Sequence, residues 1–236
     1  MLLDKDLKIR YSRQISVKEI GYEGQQRLCE GKVLIIGCGA LGSMIAMQLA
    51  GAGVGTIGIV DFDNIEVSNL QRQFFYTTSE CGRPKSEMLE KKILTLNQSV
   101  KVNRLNKFFT AKDAAAHFPD YDFIIDATDN PDSKRLIDEM ARENGKPCCI
   151  GGVRDFSGQV TTLLPEDPRF DEIFGVVVGD SFLPCSLGGV VGPAAAFCAS
   201  IQASEAIKFL AKAGELLSGK ILFFDLLKPS VKIFSV

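Results

Sequence analysis

Tryptophan is missing from this sequence, and a single histidine, His117, stands among its 236 residues. No Cys-x-x-Cys pair occurs to build a structural zinc site, so zinc is not expected. The seven cysteines (Cys29, Cys38, Cys81, Cys148, Cys149, Cys185 and Cys198) are odd in number and mostly sit among apolar neighbours. That pattern argues against a disulfide framework and for a reducing, cytoplasmic setting. A formal net charge of -2 removes the basic field that would recruit nucleic acid or an anionic membrane. No apolar run approaches the roughly 20 residues that span a bilayer. The nearest, residues 188–210, is interrupted by Gln202, Glu205 and Lys208 at helical spacing and reads as a buried helix. The opening MLLDKDLKIRYSRQI lacks the apolar core of a secretory leader. Neither a nucleic-acid nor a membrane partner is expected.

What is present alternates. KVLIIG and TIGIVD are short β-branched runs that read as buried strands, and ALGSMIAMQLAGAG between them has helical apolar spacing. An amphipathic helix (GRPKSEMLEKKILTLN), a third strand (VKVNRL), a short helix (KDAAAHF) and a fourth strand (YDFIIDATDN) follow. A helix (DSKRLIDEMARENG) and a fifth strand (KPCCIGG) complete the alternation, which predicts a parallel sheet with right-handed crossovers. After about Gly151 the pattern changes. SGQVTTLLP alternates like an antiparallel strand, residues 166–184 read as an irregular loop, a long helix covers 188–214, and KILFFDL and SVKIFSV form two strands. The fold class is therefore α/β: a Rossmann-like, mostly parallel sheet flanked by helices and completed by C-terminal antiparallel strands. No linker divides residues 1–236, which read as one domain.

The chemistry concentrates in two places. GCGALG, with Gly37, Gly39 and Gly42, lies between the first strand and its helix, where glycines permit a tight turn and close approach of a phosphate. Asp61 ends the next strand, where such folds place a ribose-binding acid, and Asp63 stands beside it. Downstream, DFDNIEVSNLQRQFF holds Asn69, Arg72 and Gln73, with Lys85 opening the following helix. Asp129 and Asn130 follow the fourth strand at the same carboxyl edge of the sheet. A hydride-transferring enzyme has no use for these cations. Two cations and an acid beside a nucleotide point to a triphosphate with magnesium.

Taken together, RYSRQI, GCGALGS, DFDNIEVSNLQRQ, GRPKSE, DATDN and CSLGGVVGPAAAFCASIQASEAIKFL resemble the ThiF/MoeB/HesA group, bacterial and archaeal relatives of ubiquitin-activating enzymes. The resemblance spans nearly the whole chain. It implies an adenylyltransferase that uses ATP and Mg2+ to convert a carboxylate to an acyl-adenylate, releasing pyrophosphate. The carboxylate would be the C-terminal glycine of a ubiquitin-like sulfur-carrier protein or, in the alternative, a small-molecule carboxylate such as the pyridinol precursor of the iron-hydrogenase cofactor. By position, Gly39 and Ala40 would line the phosphate turn and Asp61 would hold the ribose. Asn69, Arg72 and Lys85 would contact phosphates, with Ser68, Leu70 and Gln71 completing the nucleotide-binding run. Asp129 would coordinate magnesium, with Asn130 beside it. Arg13 resembles an arginine inserted into a neighbouring subunit's site, which implies a homodimer. Cys185 aligns with a cysteine that some relatives use for a covalent intermediate; an incidental thiol is the equal alternative. Residues 1–30 would then be a helical arm, 31–150 the nucleotide-binding core and 151–236 the acyl-substrate part. Many relatives carry zinc-binding Cys-x-x-Cys pairs. Here LLPEDPRFDEIFGVVVGD fills the first such place, so the segment from Leu163 to Cys185 is expected to set the acyl substrate.

Overall fold

The computed structural model describes residues 3–175 and 188–236. At the N-terminus, α1 (Lys5–Arg10), α2 (Ser12–Ile15) and α3 (Gly21–Glu30) precede the sheet. The run KVLII then forms β1 (Lys32–Ile36), in which every residue after Lys32 is buried, as a strand covered on both faces requires. It feeds α4 (Ala40–Ala52), whose helix ends at Gly53 in the left-handed region, and β2 (Thr56–Val60) follows. The alternation continues through α5 (Lys85–Leu96), β3 (Lys101–Leu105), α6 (Ala111–His117), β4 (Phe123–Asp126), α7 (Pro131–Glu143) and β5 (Cys148–Arg154). A tight connection then turns β5 back into antiparallel β6 (Ser157–Leu163). After α8 (Phe170–Phe174) and the long α9 (Gly192–Ala211), the chain finishes with β7 (Lys220–Asp225) and β8 (Ser230–Ser235).

Among the described residues the strands form one eight-stranded sheet in the order β3-β2-β1-β4-β5-β6-β7-β8. Pairings from β3 to β5 are parallel and those from β5 to β8 antiparallel. The strand order reverses between β1 and β4, which opens a crevice at their carboxyl ends. Two apolar layers cover the sheet. One joins α4, α5 and α9 to the strands through residues such as Ile45, Leu89 and Ala199; the other packs α6, α7 and α8 through Phe118, Ile137 and Phe170.

The polar residues Gln202 and Glu205, which interrupt the apolar run of α9, are anchored inside the protein, although the Gln202 side-chain oxygen has no partner among the described residues. Gln202 Nε2 donates to the main-chain oxygen of Asp126 at 2.8 Å, and buried Glu205 accepts from Thr162 Oγ1 at 2.6 Å and Leu217 N at 2.7 Å. No described helix is long and apolar enough to cross a membrane.

One expectation is corrected. Within the stretch read as irregular loop, α8 forms because Glu172 accepts from Arg169 N at 2.8 Å, capping the turn, and because α7 holds it from the side. Arg135 Nε donates to Asp171 at 2.6 Å and Asp138 accepts from Phe170 N at 2.9 Å. Tertiary anchoring stabilises a helix too short to persist alone.

Candidate functional site

The glycine turn is built by sterics. Gly37 has φ of 99°, and a Cβ there would lie 2.6 Å from the Ala127 oxygen. A Cβ on Gly42 would lie 1.8 Å from the Gly37 oxygen. Side chains are therefore excluded where the α4 N-terminus meets the turn, leaving backbone N–H groups facing the crevice. Asp61 braces this turn: one carboxylate oxygen accepts from Cys38 N at 2.6 Å and the other from Asp63 N at 2.7 Å. Burial pushes the Asp61 pKa above the usual carboxylate value, with those two backbone bonds opposing it. Tyr76, absent from the sequence argument, donates its hydroxyl to the Cys38 oxygen at 2.7 Å. Burial raises its pKa, so it stays a donor. Burial also pushes the Cys38 thiol well up, which leaves it without nucleophilic character.

The connector after β2 folds as a 3-10 turn, Val67–Asn69. Asn69 helps hold this turn, its side-chain oxygen accepting from Glu66 N at 3.3 Å. Asn69 and Leu70 are not among the residues lining the crevice, whereas Ser68, Gln71 and Arg72 are. Arg72 is half-buried and donates to the Ser68 oxygen at 3.1 Å; Gln71 reaches the Val190 oxygen at 3.3 Å. Gln73 is buried beside Gly39, and its side-chain oxygen has no partner among the described groups, so it offers an acceptor to a ligand hydroxyl. Lys85, buried at the start of α5, is aimed by a 2.8 Å ion pair to Asp63.

Across the crevice, the β4 end supplies the acid. Asp129 is exposed and has no hydrogen bond or ion pair among the described residues. Asn130 caps α7, its side-chain oxygen accepting from Ser133 N at 2.9 Å. Two further features were not read from the sequence. Phe62 and Phe108 meet edge to face at 5.3 Å, and both line the crevice together with Phe109. This apolar surface lies next to Asp61, where a ribose would carry its base. Buried Lys134 also lines the crevice, paired with Asp126 at 2.5 Å. A run of F, F in KFF and a lysine in a polar helix give no sequence signal for either role.

One continuous cavity of about 860 Å³ contains these groups. Gly39, Ala40, Asp61, Ser68, Gln71, Arg72, Lys85, Asp129 and Asn130 all line it, so the fold brings together residues from four segments. Its other half is lined by Gly151, Gly152, Arg154, Gly158 and Gln159 of the β5–β6 hairpin, with Phe170 and Phe174 of α8. Arg13 lies elsewhere. Its neighbour Gln14 donates to the Ala52 oxygen at 2.9 Å, at the far end of α4 from Gly39. Thirteen helical residues, about 20 Å, separate that point from the glycine turn. Cys185 falls outside the described residues.

Magnesium suits this donor set. The ion is held by one or two carboxylates while substrate phosphates and water complete its shell, and Asp129, on the crevice wall, has no partner among the described residues. Among the described residues no group of three or more His, Cys, Asp or Glu forms a closed metal cage.

Comparison with known proteins agrees with this architecture. The model of the ThiF family matches residues 11–236. The chain is 35% identical to the probable adenylyltransferase/sulfurtransferase MoeZ of Mycobacterium tuberculosis, over 99% of its own length and 61% of that protein. It thus spans about three fifths of that relative's length. It is 37% identical to the sulfur carrier protein ThiS adenylyltransferase of Escherichia coli, over 94% of this chain and 88% of that one. A crystal structure of PaaA superposes with a TM-score of 0.84 at 26% identity, covering 100% of this chain and 75% of PaaA. A match across all but the first ten residues settles the grouping: the chain belongs to the ThiF family.

Proposed function

We propose that this protein transfers the adenylyl group of ATP to a carboxylate, giving an acyl-adenylate and pyrophosphate. The observation that carries the proposal is the single cavity in which the glycine turn and Asp61 face Arg72 and Lys85 on one side and Asp129, without a partner among the described residues, on the other. The carboxylate oxygen attacks the α-phosphorus, and the bond to the β-phosphate oxygen breaks. Negative charge then develops on the pyrophosphate, where Arg72 and Lys85 stabilise it as fixed cations. Magnesium held by Asp129 neutralises phosphate charge when bound. Asp61 accepts from the ribose hydroxyls, and Phe62 and Phe108 cover the base. The glycine-rich β5–β6 floor leaves room for an extended acyl tail, which suits the C-terminal glycine of a sulfur-carrier protein; the name of the ThiS adenylyltransferase supports the same class. Residues 31–150 form the nucleotide half and 151–236 the acyl half.

Exposed Arg13 at the far end of α4 cannot serve its own site, which supports a homodimer in which it completes the partner's site. The cysteine usage read from the sequence supports a cytoplasmic location. A small-molecule carboxylate is the second reading, favoured by Phe170 and Phe174, which give the acyl half an aromatic wall. The test is ATP–pyrophosphate exchange with peptides ending in Gly-Gly and with aromatic carboxylates in turn. Exchange with either class supports adenylation and selects the substrate. Absence of exchange with both, in protein that binds ATP, contradicts it.

A further inference from the structure

Lys134 lines the cavity but cannot easily serve a ligand. An ammonium has three N–H donors, and all three are committed. They reach Asp126 Oδ2 at 2.5 Å, the Thr128 oxygen at 2.9 Å and the Gly151 oxygen at 2.8 Å. Asp126 is equally occupied. Its other carboxylate oxygen accepts from Thr128 N at 3.1 Å and Thr128 Oγ1 at 2.5 Å. Its main-chain oxygen takes Gln202 from α9. Asp126 and Lys134 are both buried. A phosphate could engage Lys134 only by stranding one of these acceptors away from water, which is costly.

The three acceptors sit on different parts of the site. Asp126 ends β4, Thr128 precedes Asp129 in the loop, and Gly151 belongs to β5, the floor of the acyl half. Lys134 itself stands on α7, whose N-cap is Asn130. One side chain therefore ties the acid-bearing loop to the strand along which the acyl group must lie. We propose that Lys134 is a positioning residue: it fixes the Asp129 loop in register with β5, so that metal-bound phosphate and acyl carboxylate meet, without itself touching the nucleotide. The proposal rests on reading the cavity as an ATP–magnesium site.

The experiment is calorimetric titration of ATP into folded protein, with magnesium and with EDTA, for the wild type, Lys134→Met, Lys134→Arg and Asp126→Asn. Circular dichroism verifies each fold. Lys134→Met is expected to bind ATP in EDTA as the wild type does, but to lose about tenfold of the affinity that magnesium adds, the usual effect of removing a group that orients a metal ligand. Lys134→Arg, which keeps the charge and the donors, is expected to restore most of that gain. If Lys134→Met does not fold, Asp126→Asn decides: the same selective loss supports the proposal. Wild-type magnesium dependence in folded Lys134→Met, or in Asp126→Asn where that variant decides, overturns it. Equal loss with and without magnesium also overturns it, because Lys134 would then contact the nucleotide. Absence of any magnesium effect in the wild type is a separate failure, that of the ATP–magnesium reading, and it removes the ground of this proposal with it.

Discussion

Replacing Gly42 by alanine sets two physical effects against each other. In an α-helix alanine is favoured over glycine by up to about 1 kcal/mol, so propensity alone predicts a more stable protein. The structure predicts the reverse. The added methyl would sit 1.8 Å from the Gly37 oxygen and 2.8 Å from its carbonyl carbon, where 3.4 Å is the lower limit of comfortable contact. Both obstacles are backbone, so no side chain can rotate away, and either the α4 N-terminus or the glycine turn must shift by more than an ångström. Overpacking of this kind costs about 1–3 kcal/mol. Set against the propensity gain, the expected net is a loss of up to about 2 kcal/mol, or up to roughly 4–8 °C in Tm for a chain of this length. The larger effect falls on function. Misplacing phosphate-facing N–H groups by about 1 Å is expected to lower ATP–pyrophosphate exchange about a hundredfold. Thermal unfolding and exchange on the same preparation check both parts. A raised Tm with undiminished exchange would refute the steric argument.

Further outcomes are expected at other positions. On the proposed reading Asp61 accepts ribose hydroxyls as a carboxylate, and burial raises its pKa; ATP affinity should then fall with acid at a pH above the ordinary aspartate range, and this component should vanish in Asp61→Asn. A midpoint at or below the free aspartate value would contradict the assignment. The sign for stability follows the same shift: the protonated form is relatively favoured in the folded state, so Asp61 stabilises most at low pH, an effect lost as pH rises through its raised pKa. Arg135→Ala removes the bond from α7 to Asp171 on α8; it should raise KM for the acyl substrate while leaving ATP affinity unchanged, and steady-state kinetics in each substrate separates the two. Arg13→Ala and Arg72→Ala should each abolish exchange, yet an equimolar mixture allowed to exchange subunits should recover about a quarter of wild-type activity. That fraction follows for a two-fold dimer in which half the dimers are mixed and each has one intact site. No recovery would argue that Arg13 does not act across subunits.

The parallel half of the fold was legible because the runs that form β1, β2 and β4 are buried on both faces and the helices between them keep an apolar period. Glycine and acid positions were legible too, since sterics at Gly37 and Gly42 and the strand end at Asp61 leave local marks in the chain. What escaped was assembled by distance. Lys134 reads as a solvated helix residue until β5 brings the Gly151 oxygen to it, 17 positions away. Phe62 and Phe108 are 46 positions apart in the sequence, and only the pairing of β2 with β3 places their ends together. The helix α8 has too few residues to announce itself, and its anchors, Arg135 and Asp138, lie more than 30 positions upstream. Asn69 has a structural part as well: its side-chain oxygen holds the turn that carries Arg72.

The central claim is that chemistry occurs at the α-phosphate, and the site of ATP cleavage tests it most directly. Protein supplied with magnesium, ATP labelled at the α-phosphate and an accepted carboxylate should yield labelled AMP or acyl-adenylate together with pyrophosphate. The same products should disappear in Asp129→Ala and Lys85→Ala. Labelled ADP with inorganic phosphate would contradict the account, because cleavage would then lie between the β- and γ-phosphates.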